Sequence, residues 1–419
     1  MYKIHSCCRS CNYAAIGANG IKSAPSSERL LPVFDLGLQP LANDFCKAGE
    51  ERAGYAPLEV LLCPRCHLAQ LSVVVKPEIL YSNYLYTTSH SDTMRRHFDQ
   101  LATDIAHEVT PFSVVEIGSN DGSLLSVLGE RWGIKTAWGI EPAANLVQLA
   151  SGRGVKTVRA LFNEQVATEV KEALLKPLDV VIARHVFCHI DDWRGFVKAL
   201  DALCTENTLV CIETPYVADL LNGTEFDTIY HEHLSYLNIA AMKALFKDSP
   251  FKLQKIIRYP IHGGAILLML RRRSANQPSS DSVKAFLEVE NVGPERWFEF
   301  KQRAQKQIAD LGSMVRGLVA DGHTVAGLGA SAKSTVWVNA CKFTRKDVAF
   351  ISDSTPGKWF TTSPGSDIPI TDEGAILREL PDYVICFAWN FLAEVLEKNS
   401  AARQKGVKFI VPVPKIEIV

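Results

Sequence analysis

The rhythm of apolar and polar positions divides the chain into three stretches. Between Val114 and Glu213, short apolar runs of strand length alternate with helical spacing. Strands are expected at Val114-Val115 and over 136–140, 155–159, 178–183 and 208–213, with helices from Ser123 and over 145–152 and 164–175. Upstream, Met94, Phe98, Leu101, Ile105 and Val109 recur at helical spacing and lead into the first strand. Such alternation predicts a doubly wound parallel sheet whose ligands bind beyond the carboxyl ends of its strands. The most apolar run, 264–270, has the length of a buried strand and is far too short to span a bilayer. After the polar break Gln277-Pro278-Ser279-Ser280, one or two long helices are expected over 281–320. A strand, glycine turn and helix then return over 324–334, and further strands end at Phe387-Ala388-Trp389-Asn390 and cover 409–413. The expected fold class is α/β, with domains at 1–75, 76–275 and 276–419.

Two glycine turns carry the first chemistry. In Val114–Leu125, VVEIGSNDGSLL, a strand bearing Glu116 runs into Gly118, Asn120, Asp121 and Gly122, and a helix begins at Ser123. Glycine admits a ligand close to the backbone, and a helix start offers free N–H groups. About twenty residues on, the next strand ends in Glu141-Pro142, an acid placed to accept hydrogen bonds from ribose hydroxyls. A nucleoside-type cofactor is implied, and the absence of G-x-G-x-x-G argues against a dinucleotide. The second turn, with Gly327, Gly329, Ser331 and Lys333, combines a helix start with a cation and suits phosphate. It is not a Walker loop, because Ala332 stands where that motif needs glycine. Both halves therefore read as Rossmann-like units.

Histidines and tyrosines gather where strands of the central unit end. Arg184-His185-Val186-Phe187-Cys188-His189 follows one strand, and Tyr216 follows another. Phe226–His233, FDTIYHEH, is the densest ionisable cluster of the chain. Its spacing does not complete a metal site, whereas Tyr230, Glu232 and His233 suit acid–base work: an imidazole, a carboxylate to orient or recharge it, and a phenol to donate to an oxyanion. His262-Gly263-Gly264 adds a histidine at a close turn. The stretch from Tyr81 to Ser91, with Tyr84 and Tyr86 among its hydroxyls, suits the rim of a sugar or phosphate site.

Composition narrows the class. A hydrophobic fraction of 47% and a formal charge of -1 fit a globular protein with no electrostatic bias toward nucleic acid or lipid. The N-terminus lacks an apolar signal core, so a cytoplasmic location is expected, with no membrane partner. Eleven cysteines then imply reduced thiols and metal ligands. Cys8-x-x-Cys11 and Cys63-x-x-Cys66 supply four thiolates for a closed, structural zinc site, with His5 and His67 as neighbouring substitutes.

In this order, the two knuckles, E-I-G-S-N-D-G, C-H-I, Y-H-E-H, H-G-G and G-L-G-A-S-A-K-S resemble the sugar C-methyltransferases that act on nucleotide-linked keto-deoxysugars. The resemblance spans nearly the whole chain. It implies a zinc-stapled N-terminal domain, a central S-adenosylmethionine domain and a C-terminal Rossmann-like domain. It further implies methylation at C-3 of a dTDP- or GDP-linked 4-keto-6-deoxyhexose, with His233 as base. Glu232, Tyr230, His189 and Tyr84 would stand beside that base. Glu116, Gly118, Asn120, Asp121, Gly122, Glu141 and Pro142 fall on the cofactor, and Tyr86, Tyr216, His262, Gly263, Ser331 and Lys333 on the sugar nucleotide. His185 and His231 depart from the family's pattern. An O- or N-methyltransferase of another metabolite, or a non-catalytic zinc-ribbon module, are the competing readings, and the oligomeric state stays open, with a monomer compatible.

Overall fold

The computed structural model describes residues 1–13, 30–47, 49–81, 84, 87–88, 91–174, 176–275 and 279–419. Tyr86, most of the hydroxyl-rich stretch around it, and Gln277-Pro278 lie outside the described residues.

The central unit is a seven-stranded sheet. Its order is Phe251–Tyr259, Ala265–Arg272, Leu209–Pro215, Val180–Arg184, Ser113–Ile117, Thr136–Ile140, Lys156–Val158. The last five run parallel to one another, and Ala265–Arg272 enters antiparallel to both its neighbours. Ser113–Ile117 and Val180–Arg184 are buried along their whole length, which is why Val114-Val115 and 180–183 read as apolar runs, with the charges of Glu116 and Arg184 paired to each other. The expected helices Asp92–Ala106, Ser123–Trp132, Ala144–Gly152 and Glu164–Ala173 flank the sheet. The C-terminal unit repeats the plan with six strands, in the order Ile370–Thr371, Ile351–Ser352, Val325–Leu328, Tyr383–Cys386, Lys408–Val411, Glu417–Ile418. Only the last pairing is antiparallel.

The N-terminal unit depends on its neighbour for a strand. Leu31–Pro40, Tyr55–Leu62 and Ala69–Leu71 form an antiparallel sheet whose fourth member, Ser235–Tyr236, comes from the central unit, just after the histidine cluster. The 27-residue helix Pro294–Ala320 ties the units together. Proline at its start presets the first turn, and Trp297, Phe300, Ala304, Leu311 and Val315 bury one stripe. That stripe shares one apolar core with Phe34 and Val60 of the N-terminal sheet, Val217 and Phe226 of the central unit, and Val325 and Trp337 of the C-terminal sheet. Helix Asp281–Val289, placed by the sequence in the C-terminal domain, packs on strand Phe251–Tyr259 of the central sheet. Among the described residues no helix is long and apolar enough to cross a membrane.

Candidate active site

The four knuckle cysteines converge. Their sulfurs lie within 4.8 Å of one another, with Cys8 3.5 Å from Cys66 and Cys11 3.7 Å from Cys63. Tetrahedral thiolates about 2.3 Å from zinc sit roughly 3.8 Å apart, so the set fits the ion with no fifth ligand required. His5 is instead spent on Asp191, at 3.2 Å.

The glycine turn after Ser113–Ile117 forms a braced corner. Gly118 has φ +67, and a Cβ there would lie 2.1 Å from Val186 Cγ2, so the close approach that this glycine permits is to the neighbouring strand end. The Glu141 carboxylate accepts the amides of Asn120 and Ala143, at 3.0 and 2.9 Å, which fixes it beside the turn with lone pairs remaining for ribose hydroxyls. Asp121, in contrast, is fully buried and accepts from Thr88 and Ser123 at 2.9 and 2.6 Å. Its carboxylate holds the turn to the tyrosine-rich lead-in. Beneath the turn, Glu116 pairs with Arg184 at 3.2 Å, yet burial outweighs the guanidinium and raises the carboxyl to about 7. Its second oxygen is buried without a hydrogen-bond partner. An orphaned acceptor under a glycine turn with an acid at its lip fits a nucleoside cofactor.

Past the strand ends, the histidine cluster closes on itself. His233 Nδ1 lies 2.8 Å from the Thr228 carbonyl, which can only accept, so Nδ1 carries the proton. Nε2 is thereby left basic and accepts the Tyr230 hydroxyl at 2.7 Å. His189 lies over His233 with ring centroids 5.2 Å apart, and Tyr81 stacks on His189 at 5.9 Å. Burial, reinforced by His189, pushes the His233 imidazole well below its usual range, and burial takes His189 to about 3. Both rings are neutral at physiological pH. Burial also raises the Tyr230 and Tyr81 phenols well above theirs. Tyr84 is anchored through its backbone, its carbonyl accepting from Asn145 at 2.8 Å, with its ring 6.0 Å from that of Tyr81.

The C-terminal unit completes the crevice. Lys333 reaches from its helix to within 3.9 Å of Asp227, over the Trp389 ring at 4.5 Å. Asp227 in turn accepts the indole N–H groups of Trp337 and Trp389 at 3.0 and 2.7 Å, joining the histidine loop to the second sheet. His262 Nδ1 meets the Asn390 amide at 3.3 Å. Asp227, Tyr81, Trp389 and Asn390 lie in stretches the sequence marked but were given no role of their own there, and Trp337 lies in none of them.

Several expected site residues have other work. Tyr216 donates to Glu290 at 3.0 Å and packs its ring on Phe286, so its hydroxyl is used within the fold. The reason is local: Tyr216 is the N-cap of helix Val217–Gly223, and Glu290 also binds the amides that open helix Ile239–Phe246. Ser331 caps its own helix in a reciprocal capping box with Ser334. Glu232 is buried and held by Asn43 at 2.8 Å, so the orienting partner of His233 is the Thr228 carbonyl and not a carboxylate. Gly263 is a glycine because Glu225 fills the space of a Cβ, with an oxygen 2.1 Å from that position. His231, also buried, meets the Ala56 carbonyl at 3.2 Å.

A doubly wound sheet with an acid-braced glycine turn, joined to a zinc-fitting knuckle pair, is the arrangement of an S-adenosylmethionine-dependent methyltransferase. Residues 26–81, 90–256 and 260–414 match, in turn, families described as a zinc binding domain, a methyltransferase domain and a C-methyltransferase C-terminal domain. C-methyltransferase NovU of Streptomyces niveus is 32% identical over 401 residues, which cover 93% of this chain and 94% of NovU. The chain belongs to this C-methyltransferase family, with S-adenosylmethionine and zinc as its cofactors. Among solved structures, magnesium protoporphyrin IX methyltransferase (ChlM) of Synechocystis PCC 6803 aligns at 13% identity and TM-score 0.32, over 42% of this chain and 79% of that one. A SAM dependent methyltransferase of Aquifex aeolicus aligns at 10% identity and TM-score 0.32, over 41% and 88%.

Proposed function

We propose that this C-methyltransferase acts at C-3 of a nucleotide-linked 4-keto-6-deoxyhexose. The observation that supports this best is the His233–Tyr230 pair, a neutral imidazole whose basic nitrogen is set by the Thr228 carbonyl and already touches a phenol. A carbon acid becomes accessible to such a base only beside a carbonyl, where loss of the proton gives an enolate. His233 Nε2 takes the C-3 proton, and the resulting imidazolium keeps its Nδ1–H on Thr228. Tyr230, released from Nε2, donates to the C-4 oxygen as charge develops there, with Tyr84 and His189 at the rim. S-adenosylmethionine, bound at the Glu141 corner, supplies an electrophilic methyl group. Glu141 orients the ribose, while Asn120 and Gly122 shape the turn around it. Lys333, presented by the second unit, faces the anionic nucleotide, and burial of the histidine loop keeps water from the enolate.

The test is mass spectrometry of the protein with S-adenosylmethionine and dTDP- or GDP-linked 4-keto-6-deoxyhexoses in deuterated water. A methyl mass gain with loss of the C-3 proton is expected, and His233→Asn should bind cofactor normally while losing turnover by about a thousandfold or more. Methylation without loss of that proton would move the acceptor to oxygen or nitrogen. Unchanged turnover in the variant would remove His233 from the chemistry.

A further inference from the structure

Among the described residues, two sets of thiol, imidazole and carboxylate groups bring at least three ligand atoms within 4.8 Å of one another. One is the knuckle cluster of Cys8, Cys11, Cys63 and Cys66. The other, Cys188, His189 and His233, includes the proposed base. Its members come from two elements: Cys188 and His189 from the turn Phe187–His189 after strand Val180–Arg184, and His233 from the histidine loop. Cys188 is 2% exposed, whereas both histidines are only partly buried, which gives an ion a way in.

His233 is already held as a ligating histidine is. Its Nδ1–H is committed to the Thr228 carbonyl at 2.8 Å, which fixes the ring and leaves the lone pair on Nε2. Metal-bound histidines almost always donate their second nitrogen in this way, and the partner sets both tautomer and orientation. His189 is fixed between two rings, Tyr81 at 5.9 Å and His233 at 5.2 Å between centroids. A tetrahedral ion would draw one sulfur and two nitrogens to roughly 3.3 to 3.8 Å from one another, so the set closes by at most about 1.5 Å, within the reach of side-chain torsions. One thiolate and two imidazoles make a soft donor set. It suits zinc or cadmium and disfavours magnesium or calcium, which take oxygen. Three protein ligands leave a fourth position for water.

We propose that Cys188, His189 and His233 form a second metal site, inhibitory in effect, that takes a thiophilic divalent ion such as zinc or cadmium. On binding, the Cys188 thiol loses its proton to solvent and the sulfur and the two nitrogens each donate a lone pair to the ion. The Tyr230 hydroxyl, now 2.7 Å from Nε2, gives up that nitrogen. With its lone pair on the ion, Nε2 has none left to take a proton from carbon, and turnover stops. The inhibition, though not the site itself, rests on the assignment of His233 as the base. A mild chelator should remove this ion and restore turnover, while the closed site of four thiolates keeps its own.

The experiment uses the full chain with zinc on its knuckles and compares wild type with Cys188→Ala and Cys188→Ser. Cobalt(II) reports binding through a thiolate charge-transfer band. Zinc reports inhibition, read as turnover of the keto-sugar nucleotide and as deuterium exchange at its acidic carbon without cofactor. Wild type should bind about one equivalent of cobalt beyond the knuckle zinc, with the band, and neither variant should. Both variants should keep turnover within about threefold of wild type, as a small change outside the proton transfer allows. Half-inhibition should take about a hundredfold more zinc in the variants, since losing a ligand costs at least as much affinity as losing an outer-shell partner. A band of equal size in the variants places the cobalt at the knuckles and overturns the site. Equal inhibition of all three proteins, as ions on the substrate's phosphates would give, overturns it too, and so does stimulation by zinc. Cobalt binding that leaves exchange at its full rate keeps the site and removes His233 as the base. A protein that shows the band but methylates no keto-sugar keeps the site and overturns the substrate reading alone.

Discussion

The two strand, glycine turn and helix corners look alike in sequence and do different work. In the central unit the turn follows Glu116-Ile117-Gly118, and in the C-terminal unit it follows Gly327-Leu328-Gly329. The first keeps an acid on each side: Glu116 beneath with an orphaned oxygen, and Glu141 at the lip with its carboxylate braced by two amides. At the second, Lys358 is buried with its ammonium on the Ala330 carbonyl at 2.7 Å and near Asp353 at 3.7 Å, and Ser331 is spent on its own helix. A cation supplied by the fold is therefore already paired within the protein beside the second turn. The second corner carries Lys333 to Asp227 of the histidine loop, while the first is the corner proposed for the cofactor. Glycine and a helix start specify the shape of such a corner, and its charged neighbours decide what it holds.

The most forceful way to break the comparison is at the glycines. Ala at Gly118 must adopt a left-handed backbone and meets Val186 Cγ2 at 2.1 Å, whereas Ala at Gly329 has a positive φ too but its nearest neighbour, Ala388 Cβ, is 3.0 Å away. Gly118→Ala is expected to cost about 4 kcal/mol and to abolish cofactor binding, against about 2 kcal/mol and intact cofactor binding for Gly329→Ala. Thermal unfolding with and without S-adenosylmethionine checks both. Equal losses of cofactor affinity would mean that the corners are interchangeable.

Next in size is a pH effect confined to the first corner, since Gly327 offers nothing to titrate where Glu116 stands. The folded-state carboxyl of Glu116 is raised, by burial above all, from 4.5 to about 7. Native protein thus holds this proton where unfolded chain has released it. The contribution to stability is complete below pH 4.5 and is lost as the pH rises toward 7, amounting to about 3 kcal/mol. Glu116→Gln, which cannot ionise, should gain roughly that much relative to wild type between those limits. Denaturant unfolding at the two pH values would show a constant difference if Glu116 were ionised throughout.

What the sequence revealed follows from the range of the interactions involved. Strands buried on both faces, such as Val180–Arg184, announce themselves as apolar runs, and the four cysteines announce a site because each knuckle fixes two ligands locally. His233, Tyr230 and Lys333 were legible as reactive side chains at strand ends and turns. Their partners were not. Asp227 joins Trp337 and Trp389 across more than a hundred residues, Glu232 is held by Asn43 from the N-terminal sheet, and Ser235–Tyr236 completes that sheet from the central unit. Such pairings depend on three units sharing one core, which no local pattern encodes. Tyr216 and Ser331 teach the same lesson from the other side. Both have the right chemistry at the right kind of position, and a neighbouring carboxylate or helix start claimed each one first.

The finest test separates the two acids that end the second strand of each unit. Glu141 lies after Thr136–Ile140 and Asp353 after Ile351–Ser352, so each occupies the position from which a carboxylate reaches a ribose. Glu141 presents its oxygens to two backbone amides, that of Asn120 in the glycine turn and that of Ala143 at the start of helix Ala144–Gly152. Replacing it with Gln keeps the size but removes the charge and turns one acceptor into a donor facing those amides. S-adenosylmethionine affinity should fall about tenfold, or roughly 1.4 kcal/mol. Asp353 instead faces Lys358 and accepts the Thr355 amide at 2.8 Å. Asp353→Asn should leave cofactor affinity unchanged and lower stability by about 1 to 2 kcal/mol, because it removes the counter-charge of a buried lysine. Calorimetric titration of S-adenosylmethionine into both variants distinguishes the outcomes. A fall in affinity at Asp353 and not at Glu141 would reverse the assignment of the two corners, since only the corner that holds the ribose should respond to the loss of its acid.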